Sequence, residues 1–326
     1  MRAVVVRSHG APEVLAVEDV PTPHPGPGQV RVTTELTSVN FADVHSRRGG
    51  YDAGGALPFT PGLDCVGVVD AVGEGVADLV PGQRVAAWTS GGSYAEQVLA
   101  RAAMTYPLPQ DVPAEVGASL TVLVTAYNVL RRGQVGEGDT VLVHGATGGV
   151  GGAAVQLALA MGAPRVIATV GGLDKVAAAR ALGATDVVDH RAEDFAEAVR
   201  ALTGAGADVI VDPIGGEVTE RGMTCLAPYG RLVICGHTAG PAAAIRTTDL
   251  HRHNRAVLGY STGYQRRTRP HALRPAVEAV LAHAARGELG VPEAARFPLG
   301  EAPAAHALVE SRAAVGRVFL TPGAVT

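Results

Sequence analysis

The sequence has three cysteines in 326 residues, Cys65, Cys225 and Cys235. They are too few and too scattered for a disulfide framework. No apolar run approaches the ~20 residues needed to span a bilayer. The opening Met1-Arg2-Ala3-Val4-Val5-Val6-Arg7 has no signal-peptide core and reads as a strand. Lysine is nearly absent: Lys175 stands alone beside 26 arginines. Positive charge is not in excess either. The net charge of −4 argues against a nucleic-acid partner. Charged residues make up 18% and apolar residues 47%, so material for a buried core is ample and disorder is not expected. The bland class is a soluble cytoplasmic α/β protein. Glycine is plentiful, at 42 residues. These glycines follow no period, which excludes collagen and implies many tight turns. The length suggests two domains.

The first ~120 residues read as short strands cut by turns. Val30–Leu36, Val66–Val72, Arg84–Trp88 and Tyr94–Leu99 are each bounded by glycine or proline, which fits a barrel-like fold. Near residue 120 the texture changes. Strands at 140–144, 165–170, 186–189, 208–212, 231–235 and 256–260 are separated by helical stretches at 150–161, 173–182, 192–202 and 217–226. This alternation predicts a doubly wound parallel sheet of six strands. A helix over 271–286 and a last strand over 316–321 have no place in that sheet and are expected to return to the first domain. The resulting division is 1–121 with 262–326, and 122–261.

The sharpest local motif joins the first of these strands to its helix. It reads Gly145-Ala146-Thr147-Gly148-Gly149-Val150-Gly151, after Val141-Leu142-Val143-His144. Glycines admit a pyrophosphate to the backbone, and a helix N-terminus offers free N–H groups and partial positive charge. The strand before and the helix after supply the context that the motif requires, so a bound dinucleotide is expected. An NAD site usually ends its second strand on Asp or Glu, to hold the ribose hydroxyl. Here that strand ends Val170-Gly171-Gly172. The sole lysine, Lys175, follows on the first helical turn, where it can meet a 2′-phosphate. His190-Arg191, after the third strand, can lie beside the same phosphate. These residues point to NADPH.

Several stretches carry a resemblance that runs essentially end to end. They are Ser38-Val39-Asn40-Phe41-Ala42-Asp43, Leu57-Pro58-Phe59-Thr60-Pro61-Gly62-Leu63-Asp64, Gly92-Ser93-Tyr94-Ala95-Glu96, the glycine turn, Glu310-Ser311-Arg312 and Gly316-Arg317-Val318. In order and spacing they resemble the zinc-free branch of the medium-chain dehydrogenase/reductase superfamily, the quinone oxidoreductases related to zeta-crystallin. The resemblance implies a GroES-like barrel-type domain, a Rossmann domain, an NADPH site between them and a homodimer built on the Rossmann sheet edge. It also implies that Lys175, His190 and Arg312 hold the 2′-phosphate. Two departures stand out: Gly171-Gly172 replace a serine common before the lysine, and His190 replaces a tyrosine.

No metal is expected. Zinc-dependent relatives have Cys where Asn40 stands and His where Leu63 stands. Asn is a poor zinc ligand and Leu is none. The relatives' cluster of four cysteines is missing, and His251-Arg252-His253 has no cysteine nearby. Without zinc, amides and hydroxyls must polarise a carbonyl. Asn40 and Tyr51 fall where the family turns an Asn and a Tyr toward the nicotinamide, and His45 stands where a second Tyr is common. The bland alternative gives Asn40 and Asp43 turn hydrogen bonds and packs Tyr51 on the barrel. The expected reaction is hydride transfer to a quinone, enone or alkenal. A run of Arg246, Arg252, Arg255, Arg266, Arg267, Arg269 and Arg274 supports an alternative, an enoyl-thioester reductase docking acyl-CoA or an acyl carrier protein. A third possibility is an NADPH-binding protein with little catalysis.

Overall fold

The computed structural model describes residues 1–50, 56–238 and 241–323. Tyr51 lies outside them. Two compact units form. One comprises residues 1–121, 265–281 and 291 onward, the other residues 122–264 and 282–290. The stretches 262–264 and 282–290 thus group with the second unit, whereas the sequence division placed them in the first.

In the first unit, strands β1 (Arg2–Val6) and β2 (Leu15–Asp19) form an antiparallel ribbon. Strands β3 (Gln29–Ser38), β4 (Asp64–Val72), β5 (Arg84–Trp88), β6 (Gln97–Arg101) and β7 (Thr105–Pro107) belong to a larger sheet. Along β3 the side chains of Val30, Val32, Thr34 and Leu36 alternate inward, as the two-residue period of a half-buried strand requires. They meet β4 on one side and β6 on the other. The fourth expected strand starts later than its β-rich composition suggests, at Gln97 instead of Tyr94. Tyr94 is fully buried, and its hydroxyl contacts Asp43 and His306. The side chain anchors a loop there.

The second unit holds β8 (Thr140–Val143), β9 (Arg165–Val170), β10 (Asp186–Asp189), β11 (Ala207–Asp212), β12 (Leu226–Ile234) and β13 (Ala256–Gly259). They pair in the order β10-β9-β8-β11-β12-β13, and every pairing is parallel. This is the doubly wound Rossmann order. Its central strands carry Leu142, Ile167, Ile210 and Leu232 into one core with Phe195 and Val199. Strands covered on both faces read as continuous apolar runs, which is why they were legible. The expected helix over 192–202 starts only at Phe195, because Asp194 caps it by accepting from the amides of Ala196 and Glu197.

The chain then returns. Strands β14 (Glu293–Pro298) and β15 (Arg317–Thr321) extend the first unit's sheet, β15 pairing antiparallel with β3. The helix expected over 271–286 is a 3-10 turn at Pro270–Leu273 followed by an α-helix, Arg274–Ala285. Among the described residues, no helix is long and apolar enough to cross a membrane.

Candidate active site

The glycine turn leaves the carboxyl end of β8, beside the point where the chain crosses to the far side of the sheet. Ligands of open α/β sheets bind there. Gly145 adopts a positive φ of 62°. The amide of Gly148 donates back to the Gly145 carbonyl at 2.9 Å, and that of Ala146 to Thr169 on β9 at 3.1 Å. The helix Gly149–Ala160 starts from Gly148. Its first i to i−4 bond runs from Gly152 to Gly148, so the amides of Gly149, Val150 and Gly151 have no intrahelical carbonyl. A Cβ on Gly151 would overlap the Gly145 carbonyl oxygen and crowd Ala146. Gly151→Ala is therefore expected to spread the turn. It should lower stability by about 1–3 kcal/mol, the usual cost of overpacking, and weaken NADPH binding. Thermal unfolding and a fluorescence titration check both effects.

At the end of the next strand no acid follows Val170. Lys175 closes a 3-10 turn, Leu173–Lys175, and its amide donates to the Gly172 carbonyl at 3.1 Å. Asp189, on β10, accepts from the amides of Gly172 at 2.9 Å and Arg191 at 3.0 Å. It thereby ties the two strand ends together. His190 Nε2 and Arg191 Nε lie 3.1 and 3.4 Å from where a Cβ on Gly171 would sit. Glycine at this position leaves room for both side chains above the strand end. The fold thus gathers His190 and Arg191 beside the Gly171–Lys175 turn, with the Asp174 carboxylate over Gly172. Arg312 belongs to the first unit. It follows the helix Ala302–Glu310 in a left-handed conformation, φ 57°.

In the first unit the helix Phe41–Arg48 presents Asn40 and His45. Asn40 is its N-cap residue, and the Asn40 amide donates to Asp43 Oδ2 at 2.9 Å. The side chain of Asn40 is buried at 2% exposure and both of its ends are engaged. Nδ2 donates to Asp64 Oδ1 at 2.9 Å and to Ser38 Oγ at 3.3 Å. Oδ1 accepts from the Arg317 guanidinium at 2.9 Å. Arg317 also donates to Ser38 at 2.6 Å, and the second oxygen of Asp64 accepts from the Thr121 amide at 2.7 Å. Asn40 therefore bridges a buried arginine and a buried aspartate. His45 is half-buried and meets Phe41 edge to face at 5.0 Å.

Next to this layer lies a cavity of about 350 Å³. Asp43, Ser46, Phe59, Leu63 and Ser90 are among the residues that line it. Burial lifts the Asp43 carboxyl to about 7, and the neighbouring Asp64 adds to the rise. The amides of Asn40 and Gly62 and the charge of Arg317 oppose it. Burial also pushes the Tyr94 phenol well up and lowers the His306 imidazole to about 3, with Arg47 contributing. Leu63 is buried at 6% exposure. Among the described residues, no three His, Cys, Asp or Glu side chains are grouped to hold a metal ion.

Sequence reasoning quoted Asp43, Asp64, Tyr94 and Arg317 within the resemblance but assigned them no joint role. One signal was present: an acid heads the apolar strand β4 and a base heads the apolar strand β15. Two members of the arginine run, Arg255 and Arg266, are held by backbone carbonyls of the fold, and two more make side-chain contacts. Arg246 pairs with Asp249 at 3.0 Å, and Arg255 donates to the carbonyls of Met223, Leu226 and Ala227. Arg266 donates to Thr89 at 2.6 Å beside Trp88, and Arg274 lies over Tyr106.

Comparison with known proteins agrees with this architecture. Residues 26–110 match the alcohol dehydrogenase GroES-like domain, and residues 149–280 match the family described as zinc-binding dehydrogenase. The chain is 32% identical to a 2-haloacrylate reductase of Burkholderia, over 99% of both chains. It is 33% identical to a quinone oxidoreductase of Pseudomonas aeruginosa, over 97% of this chain and 98% of that one. The solved structure of Escherichia coli quinone oxidoreductase complexed with NADPH superposes with a TM-score of 0.91 at 29% identity, over 99% of this chain and all of the other. With a GroES-like unit, a Rossmann unit and relatives 32% and 33% identical over nearly its whole length, the chain belongs to the quinone oxidoreductase family, the zinc-free branch of the medium-chain dehydrogenases/reductases.

Proposed function

We propose that the protein is an NADPH-dependent reductase that delivers hydride to a conjugated carbonyl: a quinone, an enone or an alkenal. The observation that carries this reading is the glycine turn on β8 followed, past the end of β9, by no acid directly after Val170 and by His190 and Arg191 beside Gly171. The residues fit the cofactor. The turn Gly145–Gly151 would receive the pyrophosphate on the free amides of Gly149, Val150 and Gly151, and Lys175, His190 and Arg191 would take the 2′-phosphate. When bound, NADPH supplies the hydride. Relatives named for quinones and for a 2-haloacrylate support a conjugated acceptor, since in both the added charge spreads over a π system.

The chain's own part is to hold the acceptor and the charge that develops on its oxygen. Tyr51 and His45 are the proposed hydrogen-bond donors to that oxygen, Tyr51 from the sequence alone. Asn40, with its side-chain amide spent on Asp64, Ser38 and Arg317, is proposed to anchor the start of the helix that carries His45. A conjugated acceptor needs less help than a simple alcohol, whose oxidation calls for a Lewis acid to lower its pKa. With four of seven arginines of the 246–274 run engaged within the fold, enoyl thioesters enter as substrates to test. A cytoplasmic homodimer completes the proposal.

Purified protein should oxidise NADPH in the presence of methyl vinyl ketone or menadione, and EDTA should leave the rate unchanged. Crotonyl-CoA tests the thioester alternative. Rapid NADP-dependent oxidation of benzyl alcohol, with no turnover of any conjugated acceptor, would overturn the assignment. So would one zinc per chain by elemental analysis with loss of activity on its removal.

A further inference from the structure

Among the described residues that line the first unit's cavity one is acidic, and its surroundings are unusual for a carboxyl. Asp43 is 2% exposed yet borders the cavity. Three donors face it. The Asn40 amide reaches Oδ2 at 2.9 Å, the Gly62 amide reaches Oδ1 at 3.1 Å, and the Tyr94 hydroxyl lies 3.4 Å from Oδ2. The Tyr94 hydroxyl also lies 3.2 Å from His306 Nε2, so this phenol bridges the carboxyl and a neutral imidazole. From β4 and β15, Asp64 and Arg317 act on Asp43 through their charges. All three of these charged side chains are buried.

Two carboxyls and one guanidinium share this centre. Arg317 and Asp64 are linked through Asn40 and Ser38 and balance one another. An ionised Asp43 would leave a net negative charge away from water, which is costly. A protonated Asp43 leaves the centre neutral. Opposing this, the amides of Asn40 and Gly62 and the hydroxyl of Tyr94 stand ready to stabilise the carboxylate. The group can therefore lose and regain a proton near neutral pH without rearrangement. Helix capping alone does not need this arrangement, since the Asn40 amide would be satisfied by a permanently charged aspartate.

We propose that Asp43 is the proton store of the substrate cavity, returning the proton that a conjugated carbonyl needs after it has accepted hydride. This rests on the reductase reading above. The balance is simple. Hydride adds to the β-carbon of the enone with its electron pair, and the π electrons shift to give an enolate. The Asp43 O–H bond breaks, and its proton forms the new C–H bond at the α-carbon. The carboxylate, held by Asn40, Gly62 and Tyr94, then recovers a proton from the medium. Overall, one NADPH and one proton are consumed per saturated ketone formed.

Two measurements test this. The first is turnover of methyl vinyl ketone from pH 5.5 to 9. For the unmodified protein kcat should be level at low pH and fall as pH rises through about 7, because the donating form is lost. Asp43→Asn, which keeps the shape, should lower kcat about a hundredfold, within the usual range for a lost general acid, and abolish the fall. A purely structural role would change stability but not the pH profile. The second is infrared spectroscopy of the unmodified protein without cofactor. A protonated-carboxyl band should be present at pH 6 and lost by pH 8, and it should be missing from folded Asp43→Asn. Absence of that band from the unmodified protein at pH 6 overturns the proposal even if the variant fails to fold. Turnover by Asp43→Asn at the unmodified rate and pH profile overturns it as well, as does a pH break that vanishes in Tyr51→Phe but survives in Asp43→Asn. Failure of the reductase reading looks different: the band titrates as expected, but no conjugated carbonyl is reduced.

Discussion

Asn40→Ala should lower the unfolding free energy by about 3–5 kcal/mol, the range for breaking a buried, hydrogen-bonded charge constellation. The side chain stands between Arg317 and Asp64, accepting from the first and donating to the second. Truncation leaves Asp64 Oδ1 with Ser38 alone and takes one of two acceptors from the Arg317 guanidinium. Neither group can turn to solvent, since Asp64 is fully buried and Arg317 is 8% exposed. An unsatisfied buried charge costs more than a lost neutral hydrogen bond is worth. Against a typical total of about 5–15 kcal/mol, such a loss would bring the chain close to its folding threshold. Asn40→Asp should be no milder, because it sets a second carboxylate against Asp64 at hydrogen-bond distance. Urea unfolding followed by circular dichroism reads both. If Asn40 instead served the substrate oxygen directly, Asn40→Ala would slow turnover and leave the urea midpoint in place.

This layer shows where sequence reasoning stops. Its members are far apart in the chain: Asn40 reaches 24 residues to Asp64 and 277 to Arg317. No local pattern joins them, and only the antiparallel pairing of β15 on β3 brings Arg317 beside Ser38 and Asn40. The Rossmann unit was more legible because its information is local. Apolar runs such as Val141–Val143 make buried parallel strands, and the turn that follows is fixed by glycines a few residues apart. The arginine run was hard to read for the opposite reason. Charge density is visible in a sequence, but the carbonyls of Met223, Leu226 and Ala227 that hold Arg255, or the Thr89 carbonyl that holds Arg266, are not. Helix starts were blurred by similar local competition. Pro270 and the arginine before it favour a 3-10 turn ahead of Arg274, although the helical pattern runs through both.

NADPH should bind more tightly than NADH by roughly a hundredfold or more, and the double variant Lys175→Ala/Arg191→Ala should remove most of that difference. The two cofactors differ only in the 2′-phosphate, so the preference measures what that group meets. A charge-assisted hydrogen bond contributes about 1.5–3 kcal/mol, or roughly ten- to a hundredfold per contact at 25 °C. At the end of β9, His190 and Arg191 lie beside Gly171, Lys175 follows on the Leu173–Lys175 turn, and no acid comes directly after Val170. Lys175→Ala alone should reduce NADPH affinity by about tenfold. The double variant should cost less than the sum of the single effects, since neighbouring cations on one phosphate are not independent. NADH affinity should stay nearly constant in all variants, because its ribose hydroxyl offers no charge to lose. The preference should also shrink as salt rises, since His190 and Arg191 are exposed and exposed charges are screened over about 8–10 Å at physiological ionic strength. Fluorescence titration of both cofactors at two salt concentrations measures all of this. Equal dissociation constants for NADPH and NADH in the unmodified protein would refute the phosphate site, and so would a Lys175→Ala variant that weakened both cofactors alike.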